Sequence, residues 1–236
     1  MIGISTFCLS DTPLDAALVR LLEVNERIEI MDEGLHVLPG TDLLESYPAH
    51  YSVHAPFHGL NIASVFEPIR RASIGILSDC LSAAAAIDAP VVIHPGYFAW
   101  ANEREAALRQ FRQSCKDLAA AAREYSAAFS FENMAGMNFF LLRTPDDLAG
   151  AGDFGLTLDV GHAYLNGCLP AFLAAPFCHL HLHDNNGKTD SHSPVGEGTI
   201  DFLPVLAAMK ERNASAVVEV STFDGAVASM RALERM

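Results

Sequence analysis

Eight short runs rich in Val, Ile, Leu and Phe, separated by longer stretches of helix formers, constrain this chain more than any other feature. They are IGISTF (2–7), RIEIM (27–31), YSVHA (51–55), PVVIH (90–94), AFSFE (128–132), GLTLD (155–159), CHLHL (178–182) and SAVVEV (215–220). Strands alternating with helical segments predict βα units and a parallel sheet. Eight units, with no linker or low-complexity tract between them, predict one α/β domain over 1–236, a single (β/α)8 TIM barrel.

The helical stretches differ in strength. FEPIRRASIGILSDCLSAAAAI and NEREAALRQFRQSCKDLAAAAREY carry strong helix formers and an apolar face. PLDAALVRLLEV opens on Pro13, as helix starts often do. TPDDLAGAG and LPAFLAA, after the fifth and sixth strands, are too brief for full outer helices, so some of these are expected to be short or truncated.

Composition narrows the function. Half of the residues are hydrophobic, enough for a sizeable core, yet no apolar run reaches the length of a membrane span. The opening MIGISTFCLS has no basic segment before its apolar residues, which reads as a mature cytosolic start rather than a signal peptide. Five scattered cysteines without a C-x-x-C pair point to reduced thiols and the cytoplasm. A formal net charge of −14, with no basic stripe, repels polyanions. Nucleic acid is therefore a disfavoured partner, an inference that bound divalent cations would weaken by reversing the sign locally.

The chemistry lies at the strand ends. His54, His94, Glu132, Asp159 and Glu219 close the third, fourth, fifth, sixth and eighth runs. His162 follows Asp159 by three residues, His181 sits on the seventh run, and Asp190 and His192 lie in the loop beyond it. A closed parallel barrel gathers those ends at one mouth. Five imidazoles and four carboxylates suit Zn²⁺, Mn²⁺ or Fe²⁺ better than Ca²⁺. Nine donors exceed one coordination shell, which points to more than one ion within an expected range of one to three, Zn²⁺ or Mn²⁺ foremost. Some members have plainer uses: Asp159 and His162 would serve equally as turn caps, and His94 could be satisfied by backbone. Glu132 and Glu219 resist such readings, because each ends an apolar strand where an unpaired carboxylate is costly. His183, Asp184, Lys188 and Glu197 are candidates for substrate contact or for orienting the ligands, with GEG at 196–198 read as a turn.

These motifs have a family likeness. HAPFHGLNIAS, HPGY, ENMAG, LDVGHAYLNG, HLHDNNGKTDSHSPVGEGTIDF and VVEVS together resemble the xylose isomerase-like barrel superfamily, which includes sugar-phosphate isomerases, epimerases and endonuclease IV. The resemblance implies that Glu132, Asp159, His181 and Glu219 form a four-ligand epimerase-type metal site, with Glu132 and Glu219 as the acid/base pair. It also implies that His54, His94, His162, Asp190 and His192 extend that site to the trinuclear set of endonuclease IV. Where epimerases offer an arginine near the seventh strand, this loop carries Lys188 and the Asp190/His192 pair. The basic DNA-inserting loops of endonuclease IV have no counterpart here.

Two reactions therefore compete. In the first, a metal polarises a sugar or sugar-phosphate carbonyl while Glu132 and Glu219 exchange the proton of the neighbouring carbon. In the second, two or more ions clamp a phosphoester for hydrolysis. The acidic charge and short loops place isomerisation narrowly ahead, and a non-catalytic metal- or sugar-binding barrel comes last. In either reaction the expected partner is a small sugar or phosphoester, with no membrane involved.

Overall fold

The computed structural model describes residues 2–38, 40–148 and 154–236. Its strands are β1 (Ile2–Ser5), β2 (Arg27–Met31), β3 (His50–His54), β4 (Val91–Ile93), β5 (Phe129–Glu132), β6 (Gly155–Asp159), β7 (His179–Leu182) and β8 (Ser215–Val218). Each pairs in parallel with its sequence neighbour, and β8 returns to β1, closing the barrel. The eight expected runs are these eight strands, trimmed by a residue or two at several ends.

The helices follow the uneven pattern expected of them. Two long ones, α3 (Glu67–Ala86) and α4 (Arg104–Tyr125), pack against each other, while α1 (Leu14–Leu22), α8 (Leu203–Arg212) and α9 (Phe223–Leu233) are of middling length. The remainder are one or two turns: α2 (Asp42–Glu45), α5 (Pro145–Leu148), α6 (Val160–Leu165) and α7 (Leu169–Ala174). Residues 149–152 of the TPDDLAGAG stretch lie outside the described residues. No described helix is long and apolar enough to cross a membrane.

Local chemistry explains the boundaries. In α4 the buried residues Ala107, Phe111, Ser114, Cys115, Leu118 and Ala122 recur at three- and four-residue intervals, so one face meets the sheet. The helix stops where Ser126 turns left-handed at φ 58° and donates its N–H to the Ala122 carbonyl. Asn213, at φ 52°, ends α8 in the same way.

The apolar core lies between the sheet and the helices. Phe111 and Phe131 meet there edge to face, 5.0 Å between centroids, with both side chains fully buried. The barrel interior is different. Around its lower half, Glu29, Ser52, Ser130, Thr157, His179 and Ser215 form a hydrogen-bonded polar layer, where many barrels place bulky branched residues. Register then carries the mouth residues upward: Met31 pairs with His54, Glu132 with Thr157 and Asp159 with His181.

Truncating Phe111 to alanine empties a site with no room to collapse, so it should cost about 3–5 kcal/mol of unfolding free energy. Urea denaturation of Phe111→Ala beside the parent protein checks this, and a loss below about 1 kcal/mol would contradict the packing described.

Candidate metal centre

Every one of the nine donors reaches the C-terminal mouth. His54, Glu132 and Asp159 are the last residues of β3, β5 and β6, and His94 and Glu219 follow β4 and β8 directly. His181 projects inward from β7, His162 from α6, and Asp190 and His192 from the loop after β7.

Glu132 is the hub. Its Oε2 lies 3.3 Å from His54 Nε2, 3.2 Å from His94 Nε2 and 3.6 Å from His181 Nδ1, while Oε1 lies 3.1 Å from His162 Nδ1. On one side, then, stand His54 and His94. Beyond the hub, His181 Nδ1 lies 3.1 Å from Glu219 Oε2 and 3.9 Å from Asp159 Oδ2. On the far side, His162 Nε2 is 3.0 Å from Asp190 Oδ2, and His192 Nε2 is 3.6 Å from Asp190 Oδ1.

Asp159 serves as the turn cap expected of it. Its Oδ1 accepts the His162 backbone N–H at 2.6 Å, capping α6, and lies 3.1 Å from His183 Nε2. Its Oδ2 is fully buried with no hydrogen-bond partner, and so is His181 Nδ1. Two orphaned buried atoms facing one another across 3.9 Å would be expensive in a finished interior. A cation between them removes the cost. Donors bound about 2.0–2.2 Å from one ion at tetrahedral or octahedral angles stand roughly 3–3.6 Å apart, close to the spacings found here. The donor set therefore fits a metal in three groups: His54/His94/Glu132, Asp159/His181/Glu219, and His162/Asp190/His192 with His183 beside them.

Electrostatics agree. Burial alone would raise the Glu132 carboxyl, but the imidazoles of His181, His94 and His162 outweigh it and hold the group well below the usual range. Burial opposes the charge on His181 too, yet the carboxylates of Glu219, Glu29 and Glu132 raise it well above an ordinary histidine. His192, likewise against burial, is raised to about 9 by Asp190 and Glu219, while Glu219 is held to about 2, mainly by His181. Without cations, Glu132, Asp190 and Glu219 keep their charge beside His54, His162, His181 and His192, whose imidazoles are raised, whereas burial lowers His94. A metal must displace the protons of those raised imidazoles.

The four remaining candidates separate. His183 is fully buried, stacked on His192 at 3.9 Å between centroids, and its ring rests on Gly161, where a Cβ would stand 2.0 Å from Cε1. Asp184 is also buried, but its carboxylate is spent on the backbone N–H groups of Asn185, Gly196, Gly198 and Ile200. Lys188 and Glu197 are exposed, outside the donor groups; Glu197 sits in the turn around Gly196.

Sequence reasoning passed over Glu29. This carboxylate is fully buried inside the barrel, with Oε1 3.0 Å from His181 Nε2 but off the line of its N–H, and Oε2 accepting from the Ser52 hydroxyl at 2.8 Å. It also lies 3.1 Å from His179 Nε2, so it holds both strand-seven imidazoles from below. The signal was legible: an acid flanked by isoleucines in RIEIM needs a buried partner as surely as one at a strand end. Asn133 was missed as well. Its amide accepts the Asp159 N–H at 2.8 Å and donates to the Asp159 carbonyl at 3.0 Å, clamping the ends of β5 and β6.

Comparison with known proteins agrees with this architecture. Residues 41–236 match the family described as xylose isomerase-like TIM barrel, and the chain belongs to that family. It is 34% identical over 231 residues to the uncharacterized protein MJ1614 of Methanocaldococcus jannaschii, covering 93% of this chain and 91% of that protein. It is 28% identical over 198 residues, 76% of each chain, to a probable endonuclease 4 of Mycobacterium leprae. Among solved structures, a D-tagatose 3-epimerase-like protein superposes with a TM-score of 0.90 at 29% identity, over 99% of this chain and 96% of the other.

Two outcomes follow from the hub. Glu132→Gln, whose amide is a far weaker ligand, should lose metal on dialysis, and elemental analysis matching the parent protein would contradict the placement. Zinc binding at pH 7 should release protons, because His162, His181 and His192 are all raised above their ordinary value and must become neutral to bind. Calorimetric titration in buffers of different ionisation enthalpy measures that release, and a buffer-independent heat would count against it.

Proposed function

We propose that the protein is a divalent-metal-dependent hydrolase of a small phosphoester, working at a centre of three ions. One observation carries this reading: two further donor groups, His54/His94 and His162/Asp190/His192, flank the Asp159/His181/Glu219 group around Glu132. A one-ion isomerase has no use for five extra donors at the mouth, of which His54 and His162 are buried, and gathering them without cations is costly. The order of preference drawn from the sequence is thereby reversed.

When bound, such ions neutralise phosphoryl oxygens and make water acidic enough to attack at neutral pH. The chain's own residues do the rest. Glu132, with one oxygen toward His162 and the other toward His54, His94 and His181, ties the donor groups at fixed spacing. Glu29 braces His181 from beneath, leaving Nδ1 toward the mouth. His183 holds Asp159 Oδ1 so that Oδ2 faces the same space. Phe57 packs on His94, 4.5 Å between centroids, and shields that side from water. The net charge of −14 favours a small ester over a nucleic-acid polymer, and five free thiols suit a reducing compartment such as the cytoplasm.

Sugar epimerisation is the second reading. It is favoured by the approach of Glu132 Oε2 and Glu219 Oε2 to one atom, His181 Nδ1, at 3.6 and 3.1 Å, which sets two carboxylates around one space as a proton-exchanging pair requires. The likeness to the D-tagatose 3-epimerase-like protein points the same way.

Metal counting with zinc or manganese, followed by incubation with bis(p-nitrophenyl) phosphate, p-nitrophenyl phosphate and a ketose panel in D₂O, separates the two. Hydrolysis predicts close to three ions and release of p-nitrophenol. One ion with deuterium incorporated at carbon overturns it in favour of epimerisation. His192→Ala should lose one ion and more than about 100-fold in ester cleavage, whereas a one-ion epimerase would keep its rate.

A further inference from the structure

Beside the donors opens a cavity of about 540 Å³ whose two walls differ in chemistry. One wall is made of donors, among them His94, Glu132, Asp190 and Glu219. The other includes Leu60, Tyr97, Met134, Met137 and Phe140, while Phe57 lies against His94. No lysine or arginine is among the described residues lining it. Arg143, whose guanidinium donates to Asn166 Oδ1 at 3.1 Å, and Lys188, exposed on its loop, are not among the residues that line it.

From this asymmetry we infer that the organic group of the substrate is a flat, uncharged aromatic ring, seated against Tyr97, Phe140 and the two methionines while its phosphoryl group meets the donors. The inference rests on the phosphoester reading above and names the class of ester. A sugar phosphate or nucleotide would bring hydroxyls and further charge against thioether and phenyl surface, where they find few partners and lose their water. A ring pays no such penalty. It gains edge-to-face contact with aromatic neighbours and sulfur contact with the methionines.

The apolar wall is built rather than incidental. Asn61 holds Tyr97 by its main chain, donating from Nδ2 to the carbonyl at 2.9 Å and accepting the N–H on Oδ1 at 3.1 Å. Gly96, at φ +85°, lets the chain pass there, since a Cβ would stand 2.6 Å from Asn61 Oδ1. Tyr97 then pairs with Phe140 both as an antiparallel bridge and ring to ring, 6.3 Å apart at 86°. The loops after β4 and β5 are thereby locked into one aromatic face of the cavity that also holds the donors. In the reaction, the oxygen of water bonds to phosphorus, the P–O bond to the aryl group breaks, and the phenol departs with one of the water protons.

The test uses the zinc-loaded protein and calorimetric binding of phenylphosphonate, methylphosphonate and ribose 5-phosphate, with cleavage of phenyl phosphate and glycerol 3-phosphate measured alongside. Phenylphosphonate should bind about tenfold tighter than methylphosphonate or more, as burial of one ring predicts. Tyr97→Phe should keep that preference and Tyr97→Ala should lose most of it, with the zinc content of both unchanged. Tyr97 is 38% exposed, so neither change threatens folding. Equal binding of the phenyl and methyl ligands, or tighter binding of ribose 5-phosphate, overturns the ring assignment while cleavage of glycerol 3-phosphate would keep the hydrolase reading. A phenyl preference with no cleavage of any ester supports the ring subsite and removes the hydrolase.

Discussion

A carboxylate sealed inside the barrel, Glu132, sets the terms for everything around it. With 2% of its surface exposed it cannot be solvated by water, and an uncompensated charge there would cost several kcal/mol. Compensation comes from imidazoles delivered by separate segments: His54 from β3, His94 after β4, His162 from α6 and His181 from β7. Since each arrives on a different piece of backbone, the cluster exists only if strand register brings all of them to one height. The Asn133 amide and the Asp159 cap are the fastenings that hold two of those pieces together.

The barrel divides its labour by layer. Stability resides outside the sheet, where α3 and α4, the latter through Phe111, close over Val53, Val91 and Phe131. Inside, from the Ser130–Thr157 contact up to the mouth, the side chains are polar and mutually dependent. Interior networks of this kind stabilise when complete and cost free energy when one member is lost. The donor groups thus rest on a floor that is itself electrostatic, through Glu29 and His179.

What could be read from sequence follows from the same division. Strand positions were legible because apolar runs between helix formers have a simple period, and the donor cluster because its acids and histidines gather at the ends of such runs, with Glu132 and Glu219 the two that have no plainer use there. Glu29 escaped notice because its strand is otherwise ordinary and its partners are 150 residues away at His179 and, nearby, at His181. The aromatic wall escaped for another reason. Tyr97, Met134 and Phe140 occur in irregular loops without periodicity, and only the Tyr97–Phe140 bridge brings them to one face. Asp184 illustrates the reverse case: beside His183 it reads as a residue for substrate contact or for orienting the ligands, yet its oxygens are consumed by four backbone amides.

That last arrangement reaches beyond its own corner. The segment from Asn185 to Ile200 is wound on a single anionic peg, reinforced by the paired main chains of Asp184 and Ser193 and pinned to α9 where Val195 donates its N–H to the Ser229 hydroxyl. A connection with such an internal scaffold behaves as a cassette. Evolution can rewrite its tip, adding or deleting Asp190 and His192, without disturbing strand closure, and so change how many ions a common barrel carries.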